Sequence, residues 1–82
     1  MTEPEHLEAE WEGFRLVVED RLEHWQAFVY DPKNCEVLYT ASRMSLGLAK
    51  LAAVEFIASH VFGPGHGLNL ETIAVMLVWE PG

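Results

Sequence analysis

The sequence is poor in the residues that mark secreted and membrane-spanning proteins. Cys35 is the one cysteine among 82 residues, so no disulfide within the chain is possible. No uninterrupted apolar run approaches the roughly 20 residues that cross a bilayer. The N-terminus is acidic, whereas a signal peptide is basic and then apolar. These features predict a cytoplasmic protein that does not bind membranes.

Basic residues are also scarce, with five Lys and Arg against 13 Asp and Glu and a net charge of −8. Such a chain has too few cations to track a phosphate backbone, so we expect no binding to nucleic acid. Residues 1–31 carry a net charge of −7 and the rest of the chain only −1. The acidic half therefore suits a basic protein partner, or else it keeps a small protein soluble.

Half of the residues are hydrophobic, which is enough for one folded domain over residues 1–82. Alternating apolar residues predict strands at about 14–19 and 24–31, and the apolar segment at about 35–40 reads as a third. The segment Asp31-Pro32-Lys33-Asn34 is typical of a turn between the last two. The predicted fold class is therefore α+β, with a three-stranded antiparallel meander and helices packed on it.

The first residues predict a short helix. Thr2 suits an N-cap with Glu5 three residues later, and Leu7 and Trp11 lie four residues apart as on one helix face. We therefore expect a helix over residues 3–11, ended by Gly13. Its apolar stripe is narrow, and a flexible acidic tail over residues 1–12 is the alternative.

A long helix is predicted over residues 43–62, capped by Ser42 and ended by Gly63 in a left-handed conformation. Its polar residues do not gather on one face, so it must be buried on more than one side. The sheet covers one side only, and residues 70–79 are the candidate cover for another. Asn69 suits an N-cap for a second helix there, although seven apolar residues in a row also permit a fourth strand.

The stretch SHVFGPGHGL, residues 59–68, invites a search for a metal site. His60 and His66 are the candidate ligands, but their spacing of six matches no common zinc pattern. Helix capping explains His60 and Gly63 without a ligand. The sequence therefore predicts no metal site, no cofactor and no catalytic residues, and a metal- or small-ligand-binding domain using this loop is the alternative function.

Aromatic residues are the remaining candidates for a functional surface. A three-stranded sheet has two faces, and one helix covers only one of them. Aromatics on the other face would be covered by the N-terminal helix or by another chain. We expect a non-enzymatic protein-interaction module, either a homodimer or a partner-bound domain, with interface candidates Trp25, Phe28, Tyr30, Tyr39 and Trp79.

The predicted order of three strands and a helix over residues 14–62 resembles the architecture of HicB-type antitoxins and of folds like the double-stranded-RNA-binding domain. The resemblance lies in the order of elements. The basic helix end that RNA-binding members use is absent here. A likeness of architecture does not carry function, so no family is assigned.

Overall fold

A computed structural model describes residues 5–82, and the predicted capping role of Thr2 lies outside them. The fold is α+β, with one five-stranded antiparallel sheet and two helices. Along the chain the elements are β1 (His6–Trp11), β2 (Phe14–Asp20), β3 (Trp25–Tyr30), β4 (Val37–Arg43), α1 (Leu46–Phe62), α2 (Leu70–Met76) and β5 (Glu80–Pro81).

The sheet has the strand order β4-β3-β2-β1-β5, and its neighbours are all antiparallel. The predicted meander is confirmed in part: it corresponds to β2, β3 and β4, but β1 and β5 extend the sheet to five strands. Its third strand begins two residues later than predicted, at Val37. Cys35 has a positive φ of 59° and donates its N–H to the Asp31 carbonyl, so it belongs to the turn. Its side chain is exposed rather than packed.

The predicted N-terminal helix is wrong, because residues 6–11 form strand β1 beside β2. A spacing of four residues, as between Leu7 and Trp11, is an even number and so fits one face of a strand as well as one face of a helix. Ala9, which lies between them on that same strand face, is buried and pairs with Leu16. Pairing with β2 therefore outweighs the weak helical preference of this segment.

Helix α1 begins later than predicted, because Ser42 continues β4 opposite Gln26. Ser45 is the N-cap instead, and its side chain accepts a hydrogen bond from the N–H of Leu48 at 3.3 Å. Gly63 ends the helix with φ +82° and ψ 168°. Its φ is positive as expected, but its ψ is extended rather than left-handed helical, and its N–H bonds the Ser59 carbonyl.

Of the two alternatives for residues 70–79, the helix is the one that forms, and a two-residue strand follows beyond that range. Helix α2 spans only seven residues, capped by Asn69, whose side chain accepts a hydrogen bond from the N–H of Thr72. The chain then turns back, and Glu80–Pro81 pairs with Leu7 and Glu8 of β1. Neither helix in the described part of the chain is long and apolar enough to cross a membrane.

The core lies between the sheet and α1, which packs on β2, β3, β4 and α2. Contacts with α2 cover part of α1 that the sheet does not, and Leu48 and Leu51 line a groove there with Ala74 and Val75. The sheet residues that face α1 alternate with residues on the opposite, open face. Those on the core side include Leu7, Ala9, Leu16, Val18, Ala27, Val29 and Tyr39.

Ile57 is among the largest fully buried side chains and belongs to the core cluster that α1 shares with the sheet. We expect Ile57→Ala to lower the free energy of unfolding by about 2–5 kcal/mol, because it removes packed methyl groups and leaves a cavity. Leu22→Ala is the control, since Leu22 is 87% exposed and its truncation should change stability by less than about 0.5 kcal/mol. Urea denaturation of both variants checks this, and equal losses would contradict the assigned core.

Candidate interaction surfaces

The five aromatic interface candidates are divided between the two sides of the sheet. Trp25 and Tyr39 pack against the core, and the Tyr39 ring stacks on Phe56 with centroids 4.7 Å apart. Trp79 packs there too, donates its ring N–H to the Ala74 carbonyl at 2.9 Å and lies under the Lys50 ammonium. Phe28 and Tyr30 lie on the open face. All five are half-buried, so the fold does not gather them into one surface.

The open face is covered by its own polar side chains rather than by a second layer. Phe28 and Tyr30 stack at 6.2 Å, and the guanidinium groups of Arg21 and Arg15 lie over their respective rings. Val17 on this face is only 1% exposed. Arginine stems can cover apolar surface while keeping their charges in water. The arginine side chains consequently cover part of the aromatic surface on this face.

A network of charged groups joins β1 to β2 on the same face. His6 lies between two carboxylates, with Nε2 3.0 Å from Glu8 and Nδ1 3.3 Å from Glu19. Arg15 donates its Nε–H to Glu8 at 2.6 Å. Partial burial raises the pKa of the Glu8 carboxyl, but hydrogen bonds and positive charge from Arg15 and His6 outweigh it. The pKa of Glu8 therefore lies below its ordinary value of 4.5.

Glu10 lies on the same strand but outside this network. Residues 6 and 10 share a face in β1, as they would on a helix, but His6 contacts Glu8 and Glu19 instead. Glu10 is exposed and has no ion-pair partner among residues 5–82. It is a free negative charge beside the short strand β5.

The two histidines of the glycine-rich stretch take different local roles. His60 lies in the last turn of α1, stacked on Phe56 at 5.7 Å and edge-on to Phe14 at 5.6 Å. The Nδ1 atom of His66 accepts the N–H of Leu68 at 2.9 Å. Within residues 5–82, no three His, Cys, Asp or Glu side chains gather in a way that would hold a metal ion.

An exposed apolar cluster was missed by the sequence reasoning. Val75, Met76 and Val78 are 84%, 75% and 73% exposed, although they lie within the seven-residue apolar run 73–79. A helix of only two turns buries one side, and here Ala74 and Ile73 face the core. The length of the run was the available signal, since a short helix cannot hide every member of it.

Acidic groups border this cluster. Met76 and Val78 line a shallow hollow together with Glu10, Glu80 and the Arg15–Glu8 pair. Val75 lines the neighbouring groove between α1 and α2, opposite Leu48. Glu80, like Glu10, has no ion-pair partner among residues 5–82. We call the set Val75, Met76, Val78, Glu10 and Glu80 the C-terminal surface.

The Glu8 network predicts a pH-dependent stability. Because the folded pKa of Glu8 is lowered, its contribution is present above the unfolded pKa and is lost as pH falls through the folded pKa. We expect Glu8→Gln to lower stability at pH 7 by no more than about 1 kcal/mol, since the pair is partly exposed. The difference from the parent protein should shrink towards pH 3. Urea midpoints at both pH values check this, and a pH-independent difference would contradict it.

Comparisons with known proteins leave the function to be argued from these surfaces. No protein-family model matches the chain, and no curated protein or solved structure matches it either.

Proposed function

We propose that the protein is a non-enzymatic interaction module that binds a basic, partly apolar segment of another protein at its C-terminal surface. The observation that carries this proposal is that exposed apolar side chains and carboxylates lie close together on the C-terminal surface. Three apolar side chains stand mostly in solvent, and two carboxylates without an ion-pair partner among residues 5–82 share a hollow with two of them, Met76 and Val78. Exposed apolar clusters rimmed by polar groups are typical of protein-binding sites.

The chemistry of the partner follows from the chemistry of the surface. Met76 and Val78 offer apolar contact, and methionine adapts its shape to different partners. Glu10 and Glu80 attract Lys or Arg, while Arg15 is already engaged by Glu8. The net charge of −8 would also speed the approach of a basic partner. A segment with two apolar residues and one or two cations therefore matches the site.

The apolar composition of the interior favours binding over catalysis as the function. No polar or charged residue is buried among residues 5–82, and no buried side-chain oxygen or nitrogen there lacks a hydrogen-bond partner. Catalytic sites commonly hold buried titratable groups with shifted pKa values. The charged groups of this protein lie instead on the surface, where they suit recognition.

Selection from a displayed library of random peptides tests the proposal. We expect the selected peptides to combine apolar residues with Lys or Arg. Met76→Gln should weaken their binding about tenfold, because the apolar contact of one methionine contributes on the order of 1.5 kcal/mol. Glu10→Gln with Glu80→Gln should weaken binding further and reduce its dependence on salt.

The β2–β3 turn provides matched controls for both changes. Leu22 is 87% exposed and Glu23 beside it is exposed as well, far along the chain from the C-terminal surface. Leu22→Gln and Glu23→Gln should leave peptide binding unchanged. The proposal fails if no peptide is enriched, or if the control substitutions weaken binding as much as Met76→Gln.

A further inference from the structure

The two edges of the sheet are built differently. At one edge, β5 is only two residues long and contains Glu80 and Pro81, a charge and a proline that discourage further pairing. At the other edge, β4 has seven residues and contains no proline, glycine or lysine. Its register shifts at Val29/Tyr30, near its start, and the pairs from Tyr39 to Arg43 are regular. The β5 edge is therefore protected from pairing with another strand, whereas the β4 edge is open to it.

The backbone of β4 presents groups for pairing. Every second residue of an edge strand directs its N–H and C=O away from the sheet. Among residues 5–82, Ser42 is the one member of β4 whose carbonyl accepts a side-chain hydrogen bond, from Arg43 Nη1 at 2.8 Å. Apolar side chains that are 38–81% exposed lie along or next to this strand, namely Val37, Leu38 and Met44.

We propose that β4 pairs with β4 of a second copy of this chain, antiparallel, to join two five-stranded sheets into one of ten strands. The opposite charges at the two ends of β4 favour a second copy of the same strand as the partner. Glu36 precedes β4 and Arg43 ends it, and neither has an ion-pair partner among residues 5–82. Antiparallel pairing about a two-fold axis brings each Arg43 close to the other copy's Glu36, twice in one dimer.

The strand order also separates the acidic regions of the two copies. Glu8, Glu10, Glu19 and Glu80 lie on β1, β2 and β5, away from β4. Joining two copies at β4 therefore places their acidic edges as far apart as the sheet allows. Joining them at the β5 edge would bring like charges together, which opposes association. This proposal does not depend on a partner at the C-terminal surface.

Analytical ultracentrifugation of the full chain over a concentration series tests the dimer. The expected species has twice the 9.3 kDa mass of one chain. Arg43→Glu should raise the dimer dissociation constant about tenfold or more, because two ion pairs become repulsive. Glu36→Arg combined with Arg43→Glu should restore dimerisation. Lys33→Glu makes the same charge change in the β3–β4 turn and should have little effect.

The lone Cys35 allows a direct test of the arrangement. Pairing that brings each Arg43 near the other copy's Glu36 places Thr40 of one copy opposite Thr40 of the other. In this register, the two Cys35 residues are separated by about ten residues along the strand direction. Spin labels attached there should be about 30–35 Å apart, at 3.3 Å per residue. Electron–electron double resonance measures this distance without any substitution of the chain.

Several outcomes would overturn the proposal. These are a monomer at every concentration, a dimer that Arg43→Glu leaves intact while circular dichroism shows a native fold, and labels with no distance in the expected range. A dimer that dissociates with Met76→Gln but not with Arg43→Glu would also overturn it, because the contact would then be at the C-terminal surface. Loss of peptide binding alone would leave the β4 pairing standing and would affect only the proposed function.

Discussion

Burial of α1 on two sides is the constraint on which the rest of this structure depends. Its apolar residues surround the helix, so contact with β2, β3 and β4 alone would leave much of it in water. Ala53, Val54 and Ile57 are buried in one core cluster, which includes sheet residues and Ala74 of α2. A chain of 82 residues is too short to form a separate third layer over α1. The C-terminal segment must therefore return across α1.

The return of that segment also completes the sheet and creates the exposed apolar cluster. After α2 the chain reaches β1, where Glu80–Pro81 forms β5 and covers part of an open edge. A two-turn helix followed by an extended segment buries Ala74, but leaves Val75, Met76 and Val78 outside. The same short element thus stabilises the fold and supplies the surface on which the proposed function rests.

The success of the sequence reasoning depended on how uniquely each pattern identified its element. The meander was predictable, because apolar residues alternate with others in β2 and β3, and a turn containing proline separates β3 from β4. The strand β1 was not, because Leu7 and Trp11 are four residues apart and that spacing fits both a helix and a strand. The cap of α1 was misplaced by three residues, since Ser42 and Ser45 are chemically equivalent and only pairing with β3 distinguishes them.

The acids beside the exposed cluster and the open edge could not be predicted from the sequence for a different reason. Each depends on strand order, which determines that β5 lies beside β1 and that β4 is left at the far edge. Once that order is known, Glu8 and Glu10 of β1 fall beside β5, and the one charged residue of β4 is Arg43, with Glu36 before the strand. The two proposed contacts therefore lie at opposite edges of one sheet. A dimer joined at β4 would leave both C-terminal surfaces accessible, so that one assembly presents two equivalent sites to a basic partner.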